Sequence, residues 1–266
     1  MQAKRLATVI SGTGLCVFLA AAGVSGAPAK RPACGSAPST TTIVGTPGDD
    51  RIRGTDEHDV IVARGGDDIV RGLGTGDNIC GGRGDDQIDG GPGSDYIRGG
   101  RGADVLLGQG GGLNQLVLGN GGADRIVGGA RNEWLRGGDG RDHIWGDQRG
   151  GAGRDRIEGG AGADTIHGGP PGPSGLHQEL FGGSGADTIF GGVGQDSIRA
   201  QHGNDRVIAG KDDDTVTGGH GDDDLSGKSG DDWLGGGLGN DDLDGGDGTD
   251  SCGQGPGTGT VVNCEP

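Results

Sequence analysis

The sequence predicts an all-β solenoid, and three observations carry that expectation. From Gly45 to Gly253 the chain returns to itself about every nine residues, in 22 consecutive units. One position of each unit holds a large aliphatic residue, beginning Ile52, Ile61, Val70 and Ile79 and running to Leu243, before Cys252 ends the series. Glycine supplies 69 of the 266 residues, while hydrophobic residues reach only 29% and aromatics 3%. A chain so poor in apolar side chains cannot enclose an ordinary globular core. It can bury a single aliphatic column if short units stack on one another. A flexible glycine-rich linker shares the composition but has no reason to keep 21 aliphatic residues in register.

Residues 1–29 come first and read as a secretory leader. Lys4 and Arg5 form a positive start, Leu6 to Val24 an apolar stretch, and Ala27-Pro28-Ala29 a small-residue cleavage site. A retained membrane anchor is the rival reading, disfavoured by the interruption at Ser11, Gly12, Thr13 and Gly14. Arg31, three residues before Cys34, does not suit a lipoprotein signal. Residues 30–44 are expected to be a linker and N-terminal cap, 45–253 the repeat region, and 254–266 a C-terminal cap. Formal net charge is −17, or −19 once Lys4 and Arg5 leave with the leader, and no Asp or Glu precedes Asp49. Such a surface repels nucleic acid and anionic membranes and attracts multivalent cations.

The unit itself is G-G-x-G-x-D-x-U-x, with U aliphatic. Gly81–Asp89 reads GGRGDDQID, Gly90–Arg98 GGPGSDYIR and Gly99–Leu107 GGRGADVLL. Ten units carry all three glycines, the Asp and an aliphatic U. In tandem these residues resemble the haemolysin-type calcium-binding repeat of the RTX proteins, and the resemblance covers nearly the whole chain after the leader. It implies an all-β, right-handed parallel β-roll with two nonapeptides per coil, stabilised by several Ca²⁺ ions. The ligand set it implies is the Asp of 19 units: Asp50, Asp59, Asp68, Asp77, Asp86, Asp95, Asp104, Asp124, Asp142, Asp155, Asp164, Asp187, Asp196, Asp205, Asp214, Asp223, Asp232, Asp241 and Asp250.

The chemistry of the residues agrees. In each unit x-U-x forms a three-residue strand with its middle side chain inward, and the glycine-rich remainder forms the turn. Coils stack about 4.8 Å apart, which places each Asp above the Asp two units later. Two carboxylates about 5 Å apart repel by roughly 0.8 kcal/mol in water and about 3 kcal/mol at an effective dielectric of 20. A hard divalent cation between coils reverses that sign. Carboxylate and main-chain oxygens form the shell Ca²⁺ favours, whereas Mg²⁺ demands a tighter octahedron. Metal binding is then folding energy, so the chain is expected to be disordered until it meets extracellular calcium.

The two sides of such a roll are not equivalent. Counting from Gly45, all eleven odd units keep the Asp. The exceptions Gln115, Glu133 and Gln178 fall in even units, as do two extra residues in Gly108–Leu118, an insertion at Gly146–Arg149 and five extra residues in Gly168–Phe181. An unbroken calcium row is therefore expected on the odd side, and an even row weakened over its middle coils. There the insertions are expected to bulge as adjacent loops, beside outward-facing Trp134, Trp145, Phe181 and Phe190. Loops with aromatics would suit a glycan or protein partner, against the plainer reading that they are tolerated insertions.

Ile43 and Val261 continue the aliphatic column beyond the two ends. Four cysteines follow the leader: Cys34, Cys80, Cys252 and Cys264. An even count in an exported chain suggests two disulfides. Stacked coils would hold the ends roughly 50 Å apart, so the expected pairs are Cys34–Cys80 and Cys252–Cys264.

Catalysis is not expected. Residues 30–44 are too few for a catalytic domain ahead of the repeats. The six histidines show no metalloprotease spacing, and no G-x-S-x-G elbow occurs. A carboxylate pair like that of β-solenoid polysaccharide enzymes stays open, because carboxylates occur in almost every unit. A regular outward Thr array, which ice binding would favour, is missing. The N-terminal leader and cysteine-closed end point to export by the general pathway, away from the type I route and toxin biology of many RTX proteins.

Overall fold

The computed structural model describes residues 41–109, 115–147, 153–169 and 176–265, with backbone alone for Thr8–Ile10 and Thr41. The rest of the expected leader, most of the linker with Cys34, and the centres of the three insertions lie outside the described residues.

The chain winds through eleven coils, alternating between a sheet of thirteen strands and a sheet of twelve. Odd units place their aliphatic residue in one sheet, from Ile52 paired with Val70 through to Leu243 paired with Val261. Even units form the other, in which Ile43 pairs with Ile61 at one end and Leu234 with Cys252 at the far end. All neighbours are parallel except Thr8–Ile10, which lies antiparallel to Thr41–Val44. Among the described residues there is no helix. Alternation explains the inside and the outside: in Arg51–Arg53 the central Ile52 is buried and both arginines are exposed. The result is one continuous core of stacked Ile, Val and Leu from Ile43 to Leu243. Cys252 packs partly against it, whereas Val261 is left exposed at the open end.

The insertions do not disturb this register. Partners are 18 residues apart along regular coils, as in Val117 with Leu135. The gap widens to 20 at Ile97–Val117, 22 at Leu135–Ile157 and 23 at Ile157–Leu180, yet each aliphatic residue still meets an aliphatic residue. A slip of one would expose the whole column, so the extra residues fall between strands.

One expectation is corrected. Strands of three residues occur in the odd sheet up to Thr165–His167, but even-sheet strands such as Glu133–Asp139 run to seven. Pairing continues through the first residues of the next unit, as in Asn120 opposite Gly138. That close approach needs glycine: Gly138 has φ of +125°, and an added Cβ would lie 2.1 Å from the Asn120 carbonyl oxygen.

Candidate metal-binding rows

Each motif Asp stands just before its strand, or, for Asp59, at its first residue, so the odd and even rows occupy opposite edges of the roll. On the odd edge the main-chain N–H of every Asp but the last, Asp241, donates to Oδ1 of the Asp one coil further on. The series runs from Asp50 to Asp68 at 2.7 Å, through Asp124 to Asp142 at 2.8 Å, to Asp223 to Asp241 at 3.1 Å. One carboxylate oxygen is thereby a structural cap for a buried amide.

The second oxygen has no such duty. Oδ2 of Asp68, Asp86, Asp104, Asp124, Asp142, Asp164, Asp187, Asp205, Asp223 and Asp241 is buried without a hydrogen-bond partner. Each of these side chains is at most 2% exposed. Oδ2 leans over the first glycine of its own unit: a Cβ on Gly99 would lie 2.2 Å from Oδ2 of Asp104, and one on Gly119 would lie 2.1 Å from Oδ2 of Asp124. The motif glycine thus makes room for the carboxylate. Buried acceptors left unpaired cost about 1–3 kcal/mol each, more when charged.

The electrostatics point the same way. Burial, opposed by the main-chain hydrogen bond and reinforced by neighbouring carboxylates, pushes Asp68, Asp104, Asp142, Asp187 and Asp223 up to about 7. Asp214 on the even edge rises to about 8 for the same reasons. These rows are columns of carboxylates that resist holding their full charge alone. The donor set is all oxygen, repeated each coil, with orphaned atoms on one line. It fits a hard divalent cation such as Ca²⁺, with the row carboxylates as its holders.

The even edge keeps this pattern at its ends, from Asp59 to Asp77 at 2.9 Å and from Asp196 through Asp214 and Asp232 to Asp250 at 2.7 and 2.8 Å. Glu265 extends it, accepting the N–H of Asp250, a role for the C-terminal cap that the motif could not reveal. Between these ends the chemistry changes. Gln178 Oε1 accepts the Asp155 N–H at 2.7 Å, and its amide nitrogen donates to the Gly153 carbonyl at 3.0 Å. The amide of Gln115 donates to Oδ2 of Asp95 at 3.1 Å and to the Gly108 carbonyl at 2.9 Å. At these two positions a neutral amide supplies the donor that a carboxylate edge lacks. Asp155 Oδ1 accepts the N–H of Glu133 at 3.0 Å. Burial and the neighbouring Asp155 carboxylate push Glu133 up to about 9.

Sequence reasoning missed a second, outer ladder. The residue before the motif Asp donates its N–H to the side chain one coil back, as in Asp67 to Asp49, Asp85 to Asp67 and Asn240 to Asp222, at 2.8–3.0 Å. The D-D and N-D pairs in these units were its signal. In the odd units of the middle coils Ala103, Ala123, Arg141, Ala163 and Ala186 hold this place.

The expected aromatic patch is corrected as well. Trp134 and Phe181 lie in even-sheet strands, but Trp145 and Phe190 lie in the odd sheet, because they close odd units. All four are half-buried by neighbours rather than open. Trp145 stacks on His167 at 5.5 Å and His167 on Phe190 at 4.7 Å, both within 3° of parallel. Arg125 covers Trp145 at 4.6 Å, and Arg156 covers Phe181 at 4.3 Å. The ring faces are spent on one another and on guanidinium groups.

The cysteine expectation is met at one end, where Cys252 and Cys264 form a disulfide with Cα atoms 5.8 Å apart. Cys80 is buried and disulfide-bonded, and Cys34, the partner expected for it, lies outside the described residues.

No curated protein matches the chain. The family model of the RTX calcium-binding nonapeptide repeat (4 copies) matches it at residues 44–79, 80–112, 118–148, 149–170, 181–216, 201–234 and 217–252, which together take in most of the sequence. With its glycine cradles, its two carboxylate rows and its parallel coils, this chain belongs to the RTX calcium-binding nonapeptide repeat family.

Proposed function

We propose that this protein is a secreted calcium-binding module whose roll forms when Ca²⁺ fills the two carboxylate rows, and which works as a structural or interaction element without catalysis. One observation carries the reading: a buried, unpartnered carboxylate oxygen recurs coil after coil along the odd edge and in most coils of the even edge. The 19 motif aspartates are the proposed ligands, as first or second partner of an ion between coils. When bound, the ion supplies positive charge and oxygen coordination where the fold places only acceptors. Secretion is supported by the leader-like first 29 residues and by the Cys252–Cys264 disulfide, which suits an oxidising compartment. Affinity about 10⁻⁴–10⁻³ M, that of extracellular calcium modules, suits such a compartment.

A glycan-binding role draws less support at the expected patch, because Trp134, Trp145, Phe181 and Phe190 are half-buried and stacked on or covered by neighbouring side chains. The test is far-UV circular dichroism with isothermal calorimetry of the full chain, with and without millimolar Ca²⁺. The β signal is expected to appear with calcium and to vanish with chelator. Identical spectra with no binding heat would refute the reading.

A further inference from the structure

We propose a separate cation site on the even edge, in which Glu133, Asp147 and Asp155 together hold one hard divalent cation, Ca²⁺ by preference. It shares the choice of ion and one residue, Asp155, with the reading above, but Glu133 and Asp147 are not among the 19 motif aspartates. Glu133 and Asp155 occupy the motif register of adjacent even coils, whereas Asp147 belongs to the Gly146–Arg149 insertion and to no repeat unit.

One carboxylate oxygen from each of the three lies within 4.8 Å of the other two. The side chains are 3%, 5% and 2% exposed, so water does little to screen them. Each carboxylate has one oxygen already engaged. Glu133 Oε1 accepts the Arg131 N–H at 3.2 Å, Asp147 Oδ2 the Gly153 N–H at 3.4 Å, and Asp155 Oδ1 the Glu133 N–H at 3.0 Å. The other three oxygens, Glu133 Oε2, Asp147 Oδ1 and Asp155 Oδ2, are buried with no hydrogen-bond partner. No ion pair among the described residues includes any of the three.

Three buried carboxyl groups brought together, each with an oxygen that no N–H of the protein meets, call for a cation. Three carboxylates favour a hard ion over Zn²⁺, which prefers nitrogen and sulfur. The place in the row isolates the site. Its neighbours on the even edge are Gln115 on one side and Gln178 on the other, where amides already supply the donors. The insertion therefore restores, from outside the repeat, the third charge that makes a lone site viable. Affinity for Ca²⁺ rises with the number of charged ligands, so this site fills before the rows and fastens the start of the insertion to the roll.

Native mass spectrometry of the full chain at stepped Ca²⁺ concentrations tests this. On folded charge states, Asp147→Asn is expected to carry one ion fewer than wild type and to need at least tenfold more calcium for its first ion. Glu133→Gln should behave alike, which covers the case in which one variant folds poorly. Asp139→Asn, an exposed carboxylate of the same stretch, should match wild type. If both variants keep the wild-type count, or lose more than one ion while folded, the site is refuted and the row reading stands. A wild type that loads no calcium overturns both.

Discussion

Along the odd edge, eleven aspartates repeat one hydrogen bond from Asp50 to Asp241, while along the even edge Gln115, Glu133 and Gln178 interrupt the row. Both edges nevertheless support coils in the same register. The difference separates two jobs that the motif Asp performs together. Oδ1 caps a buried main-chain amide, and a glutamine can do the same, as Gln178 does for Asp155. Oδ2 is an acceptor waiting for a donor, and there a glutamine removes the need for an ion by bringing its own N–H, as Gln115 does for Asp95. If Ca²⁺ fills the rows as proposed, the odd edge should depend on it throughout, and the even edge should carry stretches that do not.

The largest expected effect is Asp142→Ala, in the middle of the odd row. It strands the buried Asp124 N–H and removes a proposed cation ligand, at a cost of about 1–3 kcal/mol for the amide alone. The calcium midpoint of folding should move to markedly higher concentration by circular dichroism. Gln115→Ala, which strands no main-chain N–H, should move it far less. Similar shifts in the two variants would erase the distinction between the edges.

Gln115→Asp converts an amide position back to the motif. Calorimetry should then register additional bound calcium, and the calcium-free chain should be harder to fold. Unchanged stoichiometry would mean that the amide is not what excludes the ion.

Acid should partly replace calcium. The folded-state values near 7 for Asp68, Asp104 and Asp142 stand above the ordinary 3.8, so the fold favours their protonated forms. That contribution is complete below about pH 4 and lost as pH rises through about 7. Without calcium, the β signal should therefore be larger at pH 5 than at pH 8. With limiting calcium the trend should reverse, because protons compete for the same oxygens.

The smallest effect concerns backbone strain. Four non-glycine residues with positive φ occupy the second position of a unit within strands: Arg64, Asn120 and Gln201 in the even sheet, and Lys228 in the odd sheet. Gln201→Gly should stabilise the calcium-loaded protein by about 1 kcal/mol in thermal unfolding, since Gly adopts this conformation freely. A destabilised variant would show that side-chain contacts outweigh the strain.

Much of this was legible residue by residue. Ile52, Ile61 and their successors announce the column because an inward position must be apolar in every coil, and Asp50 to Asp250 mark the turns because nothing else in the unit is charged so regularly. The split of Trp145 and Phe190 from Trp134 and Phe181 was also readable, since the parity of a unit fixes its sheet. The length of the even-sheet strands was not, because main-chain pairing through G-G-x leaves no side-chain pattern. Nor could Glu265 be assigned a row position, as it lies outside any unit.

What the sequence by itself determined is the period, and with it the coil, the buried column and the two carboxylate edges, for these follow from repeating one local geometry. What only the tertiary structure decided lies where the repeat fails. Asp147 reaches Glu133 and Asp155, and Gln115 reaches Asp95, through contacts across coils whose separation in sequence is set by the insertions. No local pattern encodes such a distance, because it arises only when the register of the core keeps the extra residues between strands.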